Sequence, residues 1–199
     1  MGDPCPCSEC NRFEFSSRIW YFLFNQNMKH SDMHHRNDLT GEHLLGDLGQ
    51  LILLIIFLTV WITDSFFFHY STFLSKRIPL PIRLLLAFAV LCSSWVLAKN
   101  GLKIVFGEVR SEPCVIRKGV FEIVRHPIYL GCILFYLGLL IATLSLSAAV
   151  VWLITTGFYF FISRHEEHLL RKRFGKAYDE YIHEVPMLIP RIIRRKPSH

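Results

Sequence analysis

The chain has 199 residues, 52% of them hydrophobic and only 19% charged, with a mean hydropathy of +0.33 and a formal net charge of +6. So much apolar surface at this length excludes an ordinary soluble domain and points to one compact membrane unit. The basic residues lie beside apolar runs with no nucleic-acid-binding motif around them, so membrane lipids are the expected partner and nucleic acid is not.

Residues 1–47 are polar and irregular except for the stretch from Arg12 to Phe24. Its apolar core, Ile19-Trp20-Tyr21-Phe22-Leu23-Phe24, is too short to span a bilayer and reads as an interfacial helix, with Trp20 and Tyr21 at headgroup depth. Cys5, Cys7 and Cys10, with His30, His34, His35 and His43 downstream, allow a metal reading. The second Cys pair lacks the spacing of zinc knuckles, so a tail without metal is preferred. No secretory signal precedes these cysteines, so no disulfide framework is implied.

The first span is predicted from about Leu48 to Tyr70, with Asp64 near its far end hydrogen-bonded between helices, to His69 or Ser93. A second span runs from about Leu80 to Ala98, entered through Pro79 and Pro81. Residues 99–125 read as a long polar loop. The third span begins at Pro127 and the fourth ends near Ser163, with only Thr143 to Ser147 between them. That is too short for a loop, so the last two spans form a helical hairpin. Cys92 and Cys132 lie inside apolar runs and read as small hydrophobes. Beyond Ser163, Leu170, Phe174, Tyr178 and Tyr181 recur at helical spacing opposite Arg171, Lys172, Arg173 and Lys176. This predicts an amphipathic interfacial helix, bent or split at Gly175. The expected fold class is an all-α membrane protein of about four transmembrane helices, with interfacial helices at both the N- and C-terminal sides. A polar segment, 1–47, precedes a transmembrane domain, 48–199.

Orientation follows from the basic residues. With four spans, both termini and the second loop share one side, and that side holds nineteen of the twenty-two Lys and Arg. The positive-inside rule places it, with both termini, in the cytoplasm.

Two polar clusters then face the same side. Around Arg125-His126-Pro127-Ile128-Tyr129, the proline starts a helix whose first amides lack intrahelical partners, and His126 and Tyr129 can share one face. Glu166 and Glu167, with Arg164 one turn earlier, follow the fourth span. Taken separately, the first cluster reads more readily as an interfacial anchor, and the second equally as a solvated helix start.

The order of motifs is more specific. Arg117 to Gly131, then Arg164-His165-Glu166-Glu167, then Phe174 to Tyr181, then Val185 to Pro190, resembles the isoprenylcysteine carboxyl methyltransferase and phospholipid methyltransferase superfamily over about residues 100–193. The resemblance implies an integral membrane methyltransferase that uses S-adenosyl-L-methionine at the cytoplasmic face. It implies that His126, Pro127, Ile128 and Tyr129 form the cofactor-binding turn. Val115 and Ile116 would lie on the adenine side, and Phe121 replaces a frequent tyrosine, which removes a hydroxyl contact. Glu167 matches the cofactor-binding carboxylate, with Glu166 the alternative one residue away. Arg164 matches the arginine that meets the acceptor's carboxylate, so Arg164 and Glu167 are the implied catalytic pair. The acceptor is a lipid or a prenylated molecule. Pro186 and Pro190 bracket a segment that folds back over the cofactor. Two rivals remain: an NADPH-dependent membrane reductase, which shares an Arg-His-Pro-x-Tyr turn, and a non-catalytic membrane scaffold.

Overall fold

Long apolar runs without period-two alternation satisfy their backbone internally only as helices. The computed structural model describes residues 43–106 and 115–190, and every regular element among them is helical. The expectations for the interfacial segment at 12–24 and for the Cys/His-rich tail lie outside the described residues. Helix α1 (His43–Ile62) runs into a π-helical turn at Thr63–Phe68, and a 3-10 turn follows at Phe73–Lys76. Then come α2 (Leu80–Phe106), a 3-10 turn at Gly119–Glu122, α3 (Pro127–Thr143), α4 (Leu146–Phe174) and α5 (Lys176–Glu184).

Three stretches, Leu48–Phe68, Leu80–Val105 and Leu146–Phe174, are long and apolar enough to cross a bilayer. The 17-residue α3 is apolar but stands at the short limit for a spanning helix. Leu85, Phe88, Ile154 and Phe161 are all exposed on these helices, an arrangement that suits lipid and not water. The protein is an integral, multi-pass, all-α membrane protein.

Two boundaries differ from expectation. Helix α2 continues past Ala98 to Phe106, so Lys99 to Phe106 are helical and not loop. Lys99, Asn100 and Lys103 point outward while Ala98, Gly101 and Leu102 are buried, so the polar residues fall on one face without interrupting the helix. Helix α4 likewise passes Ser163 and carries Arg164 to Glu167 within it. It stops at Gly175, whose φ of +53° costs a residue without Cβ little, and α5 starts anew at Lys176.

The described residues divide into two compact units. One comprises 91–106, 115–135 and 156–190, the other 43–90 and 136–155. In the first, Ser94 donates to the Gly131 carbonyl at 2.7 Å, and a Cβ on Gly131 would stand 3.1 Å from the Ser94 carbonyl oxygen. The missing side chain lets α2 and α3 approach to backbone contact. In the second, Trp61 donates from Nε1 to the Leu139 carbonyl and to Thr143 Oγ1, both at 3.0 Å, and Phe57 packs edge-on against Tyr136.

The second unit also contains Asp64. Its carboxylate accepts from the Ser71 amide at 3.1 Å, from the Ser71 hydroxyl at 2.5 Å and from the Ser145 hydroxyl. The expected interhelical bond exists, but its donors are these serines. His69 gives only its backbone amide, to the Asp64 carbonyl, at 2.9 Å. The two hydroxyls in turn cap α4, accepting from the Ala148 and Ser147 amides at 3.1 and 2.9 Å.

Candidate active site

Every contact of the site lies within the first unit. Helix α3 begins at Pro127, directly after a 3-10 turn that opens at Gly119 and buries Val120 and Phe121. The residues before the helix are tied down by backbone. The Arg125 amide donates to the Pro186 carbonyl at 2.9 Å, and the His126 amide donates to Met187 at 3.1 Å. The segment between Pro186 and Pro190 therefore folds back onto the start of α3. Tyr181 adds a third tie, its hydroxyl donating to the Phe121 carbonyl at 2.6 Å. Burial pushes that phenol above its ordinary range, so it remains a donor.

Arg125 is buried and uses its whole guanidinium. Nε and one terminal nitrogen lie 2.8 Å from Glu167 Oε1, and the other terminal nitrogen donates to the Ile182 and Val185 carbonyls, both at 2.9 Å. One cation thus joins α3's entrance, α4 and the end of α5. The planar, multi-donor shape of arginine is what allows this, and lysine has no equivalent.

The imidazole of His126 stands between the two carboxylates. Nδ1 is 3.6 Å from Glu166 Oε2, and Nε2 is 3.4 Å from Glu167 Oε1. Tyr129, stacked on His126 with ring centroids 5.7 Å apart, donates its hydroxyl to Glu166 Oε1 at 2.5 Å. The Tyr159 ring lies 5.4 Å from that of Tyr129, tilted against it. The result is a wall of three rings beside a pair of carboxylates, with a buried cation behind.

Of the residues expected from the sequence, His126, Tyr129, Glu166 and Glu167 come together. Pro127 and Ile128 are adjacent but buried, and the Ile128 side chain rests against Gly101, where an added Cβ would come within 2.8 Å. Only backbone groups of Ile128 are therefore directed elsewhere than into the α2 contact. Val115 packs against the cluster of Tyr178, Tyr181 and Val185, and Ile116 is half-buried beside it in sequence. Phe121 is buried, with its carbonyl engaged by Tyr181. Arg164 does not join the cluster. It is exposed and makes no ion pair with a described residue. It stands one residue past the buried Ser163, about 100° around the helix, on the outer face. The buried cation is instead Arg125. The one signal for it was adjacency to His126 at a helix start facing two glutamates.

Residues 82–177 match the family described as phospholipid methyltransferase. Over 78 residues the chain is 32% identical to "Protein-S-isoprenylcysteine O-methyltransferase B" of Arabidopsis thaliana. That alignment covers 38% of this chain and 39% of the relative. The chain is thus similar to phospholipid methyltransferases over just under half of its length, and it spans about two fifths of the length of that relative. No solved structure matches it. The superfamily match contains Arg125, His126, Tyr129, Glu166 and Glu167. It ends before Tyr181, Val185, Pro186 and Met187, the groups that hold the start of α3 from the far end of the chain.

Proposed function

We propose that this protein transfers a methyl group from S-adenosylmethionine to a lipid-like or prenylated acceptor at the membrane surface. The observation that carries this reading is the convergence of His126 and Tyr129 with Glu166 and Glu167 around a buried Arg125. The residues present fit such a donor. Two carboxylates can accept from ribose hydroxyls or an ammonium, and the faces of Tyr129 and Tyr159 can stabilise a sulfonium through cation–π contact. When bound, the donor supplies an electrophilic methyl: the carbon–sulfur bond breaks with its electron pair left on sulfur as the acceptor's nucleophile forms the new bond.

The chain's own part is positional. Arg125 fixes Glu167 against the start of α3. Tyr129 fixes Glu166, and His126 separates the two carboxylates. The folded-back segment at Pro186 and Met187 excludes water from that side. Holding donor and acceptor in line is the main requirement when the nucleophile is already ionised, so no general base is assigned. Arg164, exposed outside the cluster, is proposed to meet an acidic acceptor group arriving from outside it. The basic excess on the site's side of the chain supports a cytoplasmic orientation.

The test is a binding comparison on protein reconstituted in lipid nanodiscs. S-adenosylhomocysteine is expected to bind, and to lose its affinity in both His126→Ala and Glu167→Ala. Tight binding of NADPH without S-adenosylhomocysteine would sink the reading in favour of a reductase. Labelled-methyl transfer to prenylated cysteine or phospholipid then identifies the acceptor. Arg164→Ala is expected to raise the acceptor KM while leaving cofactor affinity alone.

A further inference from the structure

Hydroxyl groups inside helices usually return a hydrogen bond to the carbonyl one turn earlier. Thr59, Thr63 and Thr155 do so here, to Ile55, Thr59 and Val151 at 2.8, 2.7 and 2.8 Å. Ser163 does not. It is fully buried in α4, and its Oγ has no hydrogen-bond partner among the described residues. Ser65 shares that state, but in the π-helical turn, where the backbone register that permits the return bond is shifted. An unpartnered buried hydroxyl costs stability, and in a native chain it calls for a reason.

Its position supplies one. Tyr159, Ser163 and Glu167 are buried at intervals of four, so they form one stripe on one face of α4. Both neighbours in the stripe face the start of α3. Tyr159 lies against the Tyr129 ring, and Glu167 is bound by Arg125. Ser163 is also the last residue of the apolar run, directly before Arg164. It therefore stands one turn from the carboxylates toward the lipid-facing part of the helix, about 5.4 Å along the axis. A lipid-like molecule changes from apolar to polar at just such a boundary.

We infer that Ser163 is a specificity-determining contact for the methyl acceptor: its hydroxyl donates to an anionic oxygen of the acceptor's polar head, either the carboxylate of an S-prenylated cysteine or the phosphodiester of a phospholipid. This rests on the methyltransferase reading above. Because Ser163 is enclosed, acceptor entry requires the side chains packed around it to move apart. The bond orients the head so that its nucleophilic atom faces the donor, and it leaves the cofactor's contacts with Glu166 and Glu167 untouched.

The experiment uses full-length protein in nanodiscs, with N-acetyl-S-farnesylcysteine in one arm and phosphatidylethanolamine in the other. Ser163→Ala is expected to raise KM for one of these acceptors at least ~10-fold, the usual consequence of losing a hydrogen bond to a charged group. S-adenosylhomocysteine affinity should stay within about twofold of wild type, and Ser163→Thr, which keeps the hydroxyl, should recover most of the KM. Thermal stability of Ser163→Ala should be unchanged or raised, because no hydrogen bond within the fold is lost. An unchanged KM in both arms overturns the inference. So does a fall in melting temperature with parallel loss of acceptor and cofactor affinity, which would make Ser163 a structural residue. Wild-type protein that methylates neither acceptor would refute the methyltransferase reading first, and this inference with it.

Discussion

The two compact units each bury carboxylates, and they treat them differently. In the unit holding Asp64, the carboxylate receives only neutral donors: one amide and the hydroxyls of Ser71 and Ser145. Those hydroxyls also cap the first turn of α4, so the network closes on itself as a helix start. In the other unit, Glu166 and Glu167 are met by a guanidinium, an imidazole and a phenol drawn from the entrance of α3. A carboxylate satisfied by backbone and serine is a fastening. A pair held by ionisable and aromatic groups has the chemistry expected of a functional site. Burial is therefore a poor guide to function in this chain, and the chemical nature of the donors is a better one.

The largest test of that contrast is Arg125→Ala. It strands Glu167 inside the fold and also deprives the Ile182 and Val185 carbonyls of their donor. Loss of one partner from a buried pair predicts a destabilisation of about 3–5 kcal/mol, read by denaturant or thermal unfolding in detergent. S-adenosylhomocysteine binding should disappear with it. Asp64→Ala should come next, costing about 1–3 kcal/mol because it leaves hydroxyl and amide donors unmatched. Cofactor affinity of the surviving folded fraction should be unaffected. A specific loss of binding there, with stability intact, would break the contrast between fastening and site. Tyr129→Phe removes a single hydrogen bond to Glu166 and should cost about 1 kcal/mol or somewhat more, seen as a roughly tenfold weaker S-adenosylhomocysteine titration. The smallest effect belongs to Arg117→Ala. This arginine is half-exposed, 3.3 Å from Glu184 and 3.8 Å from Glu180, and should contribute less than about 1 kcal/mol, less still at high salt.

Much of this architecture was legible in sequence because bilayer-length apolar runs leave few options. The helical hairpin, the entry at Pro127 and the break at Gly175 each follow from a local rule with no strong competitor. The continuation of α2 to Phe106 was not legible: Lys99, Asn100 and Lys103 look like loop residues until the buried Ala98, Gly101 and Leu102 are seen to share the other face. The pairing of His126 and Tyr129 with the glutamates was readable from motif order. The division of labour between arginines was not. Arg125 and Arg164 are equally close to site residues along the chain, and only helical rotation makes one a buried anchor and the other an exposed edge. Ser163 shows the same limit. Its four-residue spacing to Tyr159 and Glu167 is visible in the sequence, but the missing return bond that sets it apart is a fact of three dimensions.

The ties from Pro186 and Met187 to the backbone of Arg125 and His126 also fix a timetable. A polypeptide emerging from the ribosome inserts its apolar helices first, and at that stage the entrance of α3 has neither its amide partners nor the carbonyls that will hold Arg125. The cluster around Arg125 is fully tied only when the segment around residues 181–187 has been released and has docked. Truncation a few residues before Tyr181 is expected to yield a protein that still inserts into the membrane but no longer binds S-adenosylhomocysteine.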